Sequence, residues 1–162
     1  MPQKRTSARK ASTPEAQLEA QVFVSLLRTG DALARGAEVL LKTMGLSSAQ
    51  YNVLRILRGA GNEGLACSAI GCRMISRDPD ITRLLDRMES RGLIARTRGT
   101  KDRRVVKTRI TTEALRLLEQ LDAPVQELHR RQLHPLAAKD LRQLSRLLER
   151  VRTQAESTCL QE

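Results

Sequence analysis

Between Leu93 and Thr111 the periodicity of the chain switches once. "LIART" and "RVVKTRIT" are short, β-branched stretches, joined by the glycine-opened, charged turn Gly-Thr-Lys-Asp-Arg-Arg, which is the pattern of a β-hairpin. On both sides of it, apolar residues recur at the 3.6 spacing of amphipathic helices. A single hairpin set among helices predicts a mainly α fold.

The helical segments can be placed one by one. From about Gln17 to Thr43 the stripe Leu18, Val22, Leu26, Leu33, Ala37, Leu40 and Leu41 predicts one long helix or two, with Gly30 and Gly36 as weak points. "LSSAQYNVLRIL" announces a second helix capped by Ser47 or Ser48. "ACSAIGCRMI" reads as a short third. The fourth, "DITRLLDRMESRG", puts Ile81, Leu84, Leu85 and Met88 on one face and ends near Gly92. Asp78, Pro79 and Asp80 form its start signal, with a carboxylate for the free amides and Pro at the first helical position. After the hairpin, Ala114, Leu115, Leu118, Leu121, Val125 and Leu128 make a long stripe with an expected bend at Pro124. A last helix follows Pro135 and carries Leu141, Leu144, Leu147, Leu148 and Val151.

Three short helices followed by a hairpin is the order of a winged helix-turn-helix, in which the helix before the hairpin enters the major groove of DNA. Charge agrees with that reading. Lys and Arg number 29 against 18 Asp and Glu, a net +11, and a polyanion is the partner such an excess implies. Charge alone does not separate nucleic acid from an acidic membrane surface. No run of apolar residues is long enough for a transmembrane helix, and "MPQKRTSARKASTP" lacks the apolar stretch of a signal peptide, so a cytoplasmic location is expected.

With Ile70, Met74, Ile81 and Leu85 packing the third and fourth helices together, Arg77, Asp80, Thr82, Arg83 and Arg87 are left facing outward. Arg can fork onto guanine, Thr can touch a thymine methyl, and any of the cations can hold a phosphate. Ser68, near the start of the third helix, is counted among the DNA-contacting residues. The hairpin tip places Lys101, Arg103 and Arg104 where a wing meets the minor groove. Asp102 beside DNA costs repulsion unless it orients a guanidinium, and Arg104, two residues on, lies on the same side of the strand.

The stretch "DPDITRLLDRMESRGLIARTRGTKDRRVVKTRITTEALRLLEQL" resembles the core of the MarR family of bacterial transcription regulators, with its T-R-L-x-D-R-L-E-x-x-G-L recognition helix, D-x-R wing and L-T-x-E-G helix start. The resemblance runs from about Leu46 to Leu121. It implies groove-reading roles for Thr82 and Arg83 and a wing-tip pair of Asp102 and Arg104. Ala114 stands where the family usually has Gly, Met88 and Ile110 where it has Leu, and Asp80 where Ser or Thr is commoner. A carboxylate at 80 either caps the helix or accepts from cytosine. Ala66 and Ala69 replace a capping box, so the third helix is expected to begin weakly.

Residues 1–14 hold Lys4, Arg5, Arg9 and Lys10 with no acid and read as a basic disordered arm. The resemblance also implies an organisation for the rest: an N-terminal dimerisation helix over 15–44, the DNA-binding domain over 45–111 and C-terminal dimerisation helices over 112–158. The outer stripes are too broad for the three-helix reader to cover, which agrees with a homodimer presenting two recognition helices about one DNA turn, ~34 Å, apart. Many members bind small, often phenolic anions in a crevice beside the dimer helices. Tyr51, with Arg35 or His129, is the candidate lining here.

A thiol switch is the competing idea. Cys67 lies near the start of the third helix, where free amides could lower a thiol's pKa, and Cys72 is five residues on, which places the two on different faces and out of disulfide reach. Family members that sense peroxide carry their reactive cysteine near the start of the first helix, where this chain has none. Cys159 completes the set, which has no zinc-ligand spacing. No cofactor and no enzymatic activity are expected: there is no paired nucleophile and base, no metal cluster and no phosphate-cradling loop. Taken together, the expected function is that of a dimeric MarR-like repressor of a pseudo-palindromic operator, relieved by a small molecule. Two rivals stand beside it, a basic architectural protein that reads no sequence and a winged-helix module that docks protein.

Overall fold

The computed structural model describes residues 13–76, 80–98 and 106–159. Its elements are α1 (Pro14–Thr43), α2 (Ser48–Ala60), β1 (Leu65–Ala66), α3 (Cys67–Arg73), α4 (Ile81–Ser90), β2 (Ile94–Arg98), β3 (Val106–Ile110), α5 (Thr112–Leu133) and α6 (Ala138–Cys159). The strands form one antiparallel sheet of order β1-β3-β2. This is the expected winged helix-turn-helix between long terminal helices.

Local chemistry sets most of the boundaries. Thr13 caps α1 by accepting from the amide of Ala16, and Pro14 supplies a fixed φ at the start, so the helix takes the last residue of the expected arm, with Thr13 as its cap. Despite Gly30 and Gly36, α1 is one continuous helix. At α2, Ser47 and Gln50 form a reciprocal capping box, each side chain bonded to the other's amide. α3 begins at Ala66 with no side-chain cap, as expected. α5 runs unbroken through Pro124, which removes one backbone donor without ending the helix.

One feature differs from the sequence reading. The two-residue strand β1 was not anticipated; it adds to the free edge of β3, pairing Leu65 with Thr108 and Ala66 with Lys107. Gly64 makes this approach possible. Its φ is +63°, and a Cβ there would meet the Thr108 carbonyl oxygen at 2.8 Å. The cap of α4 is Asp80, with Ile81 the first helical residue, which is the capping alternative for that carboxylate; Asp78 and Pro79 lie outside the described residues.

The core is aliphatic. Val53, Leu54, Leu57, Ile70, Leu84, Leu85, Met88 and Ile94 are buried together with Leu41 of α1 and Ala114, Leu118, Leu121 and Val125 of α5. Burial of each large side chain is worth about 1.5–3 kcal/mol. The cluster therefore crosses both ends of the 45–111 segment and fixes the reading lobe to the helices that flank it. Thr111 adds a polar stitch: it caps α5 through the Ala114 amide and donates its hydroxyl to the Gly92 carbonyl at 2.8 Å, joining the end of α4 to the start of α5.

Among the described residues, no helix is long and apolar enough to cross a membrane.

Candidate nucleic-acid interface

α4 has two faces of opposite character. Leu84, Leu85 and Met88 are buried, and Thr82, Arg83, Asp86 and Arg87 are exposed. The 3.6 period of "ITRLLDRMES" produces this separation, because residues 84, 85 and 88 fall on one side. Asp80 does two jobs at the helix start. Its carboxylate accepts from the Arg83 amide at 3.2 Å and pairs with the Arg83 Nε at 3.1 Å, so the cap also orients a guanidinium that is 82% exposed. A carboxylate so engaged favours the capping alternative for Asp80 over direct base contact.

Ser68 is exposed near the start of α3, and Arg73 is exposed at its end. Arg77, Lys101, Asp102, Arg103 and Arg104 lie outside the described residues. The strands that carry the wing are in place, in the register Ile94 with Ile110 through Arg98 with Val106.

The distribution of charge follows the same lobe. Residues 45–111 hold 14 Lys and Arg against 6 Asp and Glu, a net +8, while residues 112–162 hold 8 of each. Most of the excess over neutrality thus lies in the segment that carries α4 and the hairpin strands.

A separate cavity of about 780 Å³ opens between α1, α2, α5 and the segment after α3. Tyr51, Asn52 and Arg55 of α2 line it with His129 of α5 and Met74 and Ile75. Tyr51 and His129 are brought together as expected. Arg35 is not among the lining residues; it is exposed and ion-paired with Asp31 one turn earlier in α1. Arg55, which sequence reasoning missed, donates to the Tyr51 hydroxyl at 3.0 Å and lies 5.8 Å from the ring centre. The i, i+4 spacing of Tyr51 and Arg55 was the available signal. Asn52 accepts from the Ile75 amide at 2.8 Å and so ties α2 to the segment leading toward α4.

Cys67 is half-buried and Cys72 exposed, and both are free thiols. No group of three or more potential metal ligands is found among the described residues.

Apolar surface remains on the terminal helices. Leu18, Val22, Phe23 and Leu27 of α1 and Leu144, Leu147, Leu148 and Val151 of α6 are exposed, and Val22 faces Leu147 and Val151 across an open groove of about 750 Å³.

A family model described as "MarR family" matches residues 46–106. The chain is 32% identical over 117 residues, covering 72% of its own length and 74% of the relative's, to the HTH-type transcriptional repressor MdtR of Bacillus subtilis. A crystal structure of a MarR transcription factor from Planctomyces limnophilus is 41% identical, with a TM-score of 0.63 over 87% of this chain and 98% of that one. A cysteine-to-serine mutant of MarR from E. coli, in complex with operator DNA, shares the fold with a TM-score of 0.75 at 24% identity, over 86% of this chain and 99% of that one.

Proposed function

Because the chain belongs to the MarR family and is a DNA-binding transcription regulator, we propose that it acts in the cytoplasm as a dimeric repressor. In this reading α4 of each protomer enters successive major grooves of a pseudo-palindromic operator, and a small phenolic anion releases the protein. The observation that carries the reading is the outward face of α4, where Thr82, Arg83 and Arg87 are exposed and Asp80 holds the Arg83 guanidinium. Thr82 and Arg83 read base edges, and Arg87 and Ser68 hold phosphate. Lys101, Arg103 and Arg104 of the wing reach the minor groove, with Asp102 orienting Arg104.

The exposed apolar stripes of α1 and α6 support the dimer, since a patch of this kind on a soluble chain marks a contact surface. The cavity beside Tyr51 supports the effector: it has an apolar lining, an aromatic ring, and two basic side chains, Arg55 and His129, suited to an anion. An effector bound there would touch both the reading lobe and the helices that set the lobe spacing.

Fluorescence anisotropy against the DNA directly upstream of the protein's own gene, and against a shuffled duplex of equal composition, at two salt concentrations, tests the reading. A preference of ~1000-fold or more for the native duplex is the expected result. Equal, salt-steep binding to that duplex, to the shuffled one and to fragments tiled across the genome would favour the architectural rival.

A further inference from the structure

Arg96 occupies an unusual position in the hairpin. β2 alternates so that Ile94 is buried while Ala95 and Thr97 are exposed, which makes 96 an inward-facing position. Its partner across the sheet is Thr108, itself buried. An apolar residue is the ordinary occupant of such a site. Arg96 instead sends its guanidinium to α4, where Nη1 donates to Asp86 at 2.6 Å, Nη2 approaches the Thr82 carbonyl at 3.4 Å, and Nε lies 3.7 Å from Glu89. Its backbone N–H also donates to Glu89, at 3.0 Å. The side chain is only 23% exposed.

We infer that Arg96 is a positioning residue for DNA reading, locking the wing strand to the recognition helix as one rigid unit and neutralising the two carboxylates of that helix. The inference rests on the reading of α4 and the wing as a groove-reading pair. Two effects follow from the geometry. First, a helix in the major groove and a wing in the minor groove can engage one duplex together only if their separation is fixed, and the planar fork of an arginine fixes it more tightly than a single point charge. Second, Asp86 lies on the same helix as Thr82 and Arg83, one turn further on, so without Arg96 its charge and that of Glu89 would oppose phosphate.

The test compares wild type with Arg96→Ala and Arg96→Lys, with Arg83→Ala as the reference for base reading. The duplex is the sequence that the wild-type protein enriches from a random pool. Thermal melts and size-exclusion chromatography first establish that each variant folds and keeps its assembly state. Arg96→Ala is then expected to bind roughly tenfold or more weakly, with a salt slope shallower by about one for each phosphate that the variant no longer neutralises. Its hydroxyl-radical footprint loses protection at the minor-groove flanks and keeps it at the centre of each half-site. Arg96→Lys recovers part of the affinity and not the flanking protection. A purely structural role would reduce the folded fraction and leave slope and footprint as in wild type; that result overturns the inference. If the wild type enriches no sequence, the groove-reading premise fails and the positioning role falls with it, an outcome visible before any variant is made.

Discussion

Arg58 of α2 and Asp122 of α5 face each other through two parallel hydrogen bonds of 2.8 Å each. They pin the reading lobe to the long helix that leads away from it. The bond from Arg58 holds the Asp122 carboxyl below its ordinary pKa, and the same bond raises the Arg58 guanidinium. A carboxylate lowered in this way stabilises the fold fully above its unfolded pKa of about 4, and the benefit is lost as pH falls through the lower folded value. Asp122 is 48% exposed, so solvent screens the pair. Asp122→Asn is expected to cost about 0.5–1 kcal/mol at neutral pH. The gap to wild type should narrow below about pH 4, as read by urea melts at pH 7 and pH 3.

Arg83→Ala is expected to weaken binding to the specific duplex by about 1–3 kcal/mol and to relax base preference at one position of each half-site. Arg104→Ala is expected to weaken binding by a similar ~1–3 kcal/mol while leaving the dimer intact. Anisotropy titrations at moderate salt with single-base variants of the duplex measure both. Wild-type affinity in either mutant would remove that residue from the interface.

On α6, Leu148→Arg places a charge in the middle of the exposed apolar stripe. Light scattering coupled to size exclusion is expected to show a monomer, with specific DNA binding lost because half-sites are no longer linked. A variant that remains dimeric would place the interface elsewhere.

Two glycines of α1 are expected to respond differently to the same change. At Gly30 a Cβ meets nothing within 4 Å, so Gly30→Ala should stabilise by about 0.5–1 kcal/mol through helix propensity. At Gly36 the Cβ would come within 2.5 Å of Gln132 Nε2, which donates to the Leu33 carbonyl. Displacing that amide loses a bond worth about 1 kcal/mol, which offsets the propensity gain. Thermal melts of the two variants should therefore differ in sign or clearly in size.

Much of this architecture is legible in the sequence because it is periodic or local. The stripe through Leu84, Leu85 and Met88 and the serine cap of α2 each depend on residues within two turns of one another. β1 was not legible, since two residues carry no period and Leu65 and Ala66 become a strand only when β3 lies beside them. Arg96 reads as one more exposed cation until Asp86 and Glu89 are brought opposite it, and Arg35 reads as a crevice residue until Asp31 claims it. These charged side chains, Arg96 and Arg35, were visible as types and invisible as members of pairs.

The bond from the Arg96 amide to Glu89 also bears on how copies of this protein coexist in solution. The Thr111 amide bonds the Leu93 carbonyl, so in this register the Arg96 N–H points away from β3, toward the open rim of the sheet. An unsatisfied rim is a template on which a strand of another molecule can add. Glu89 occupies the middle of that rim, and the opposite rim is closed by a strand only two residues long. The hairpin is thereby screened on that side from pairing strand to strand with other copies of the chain.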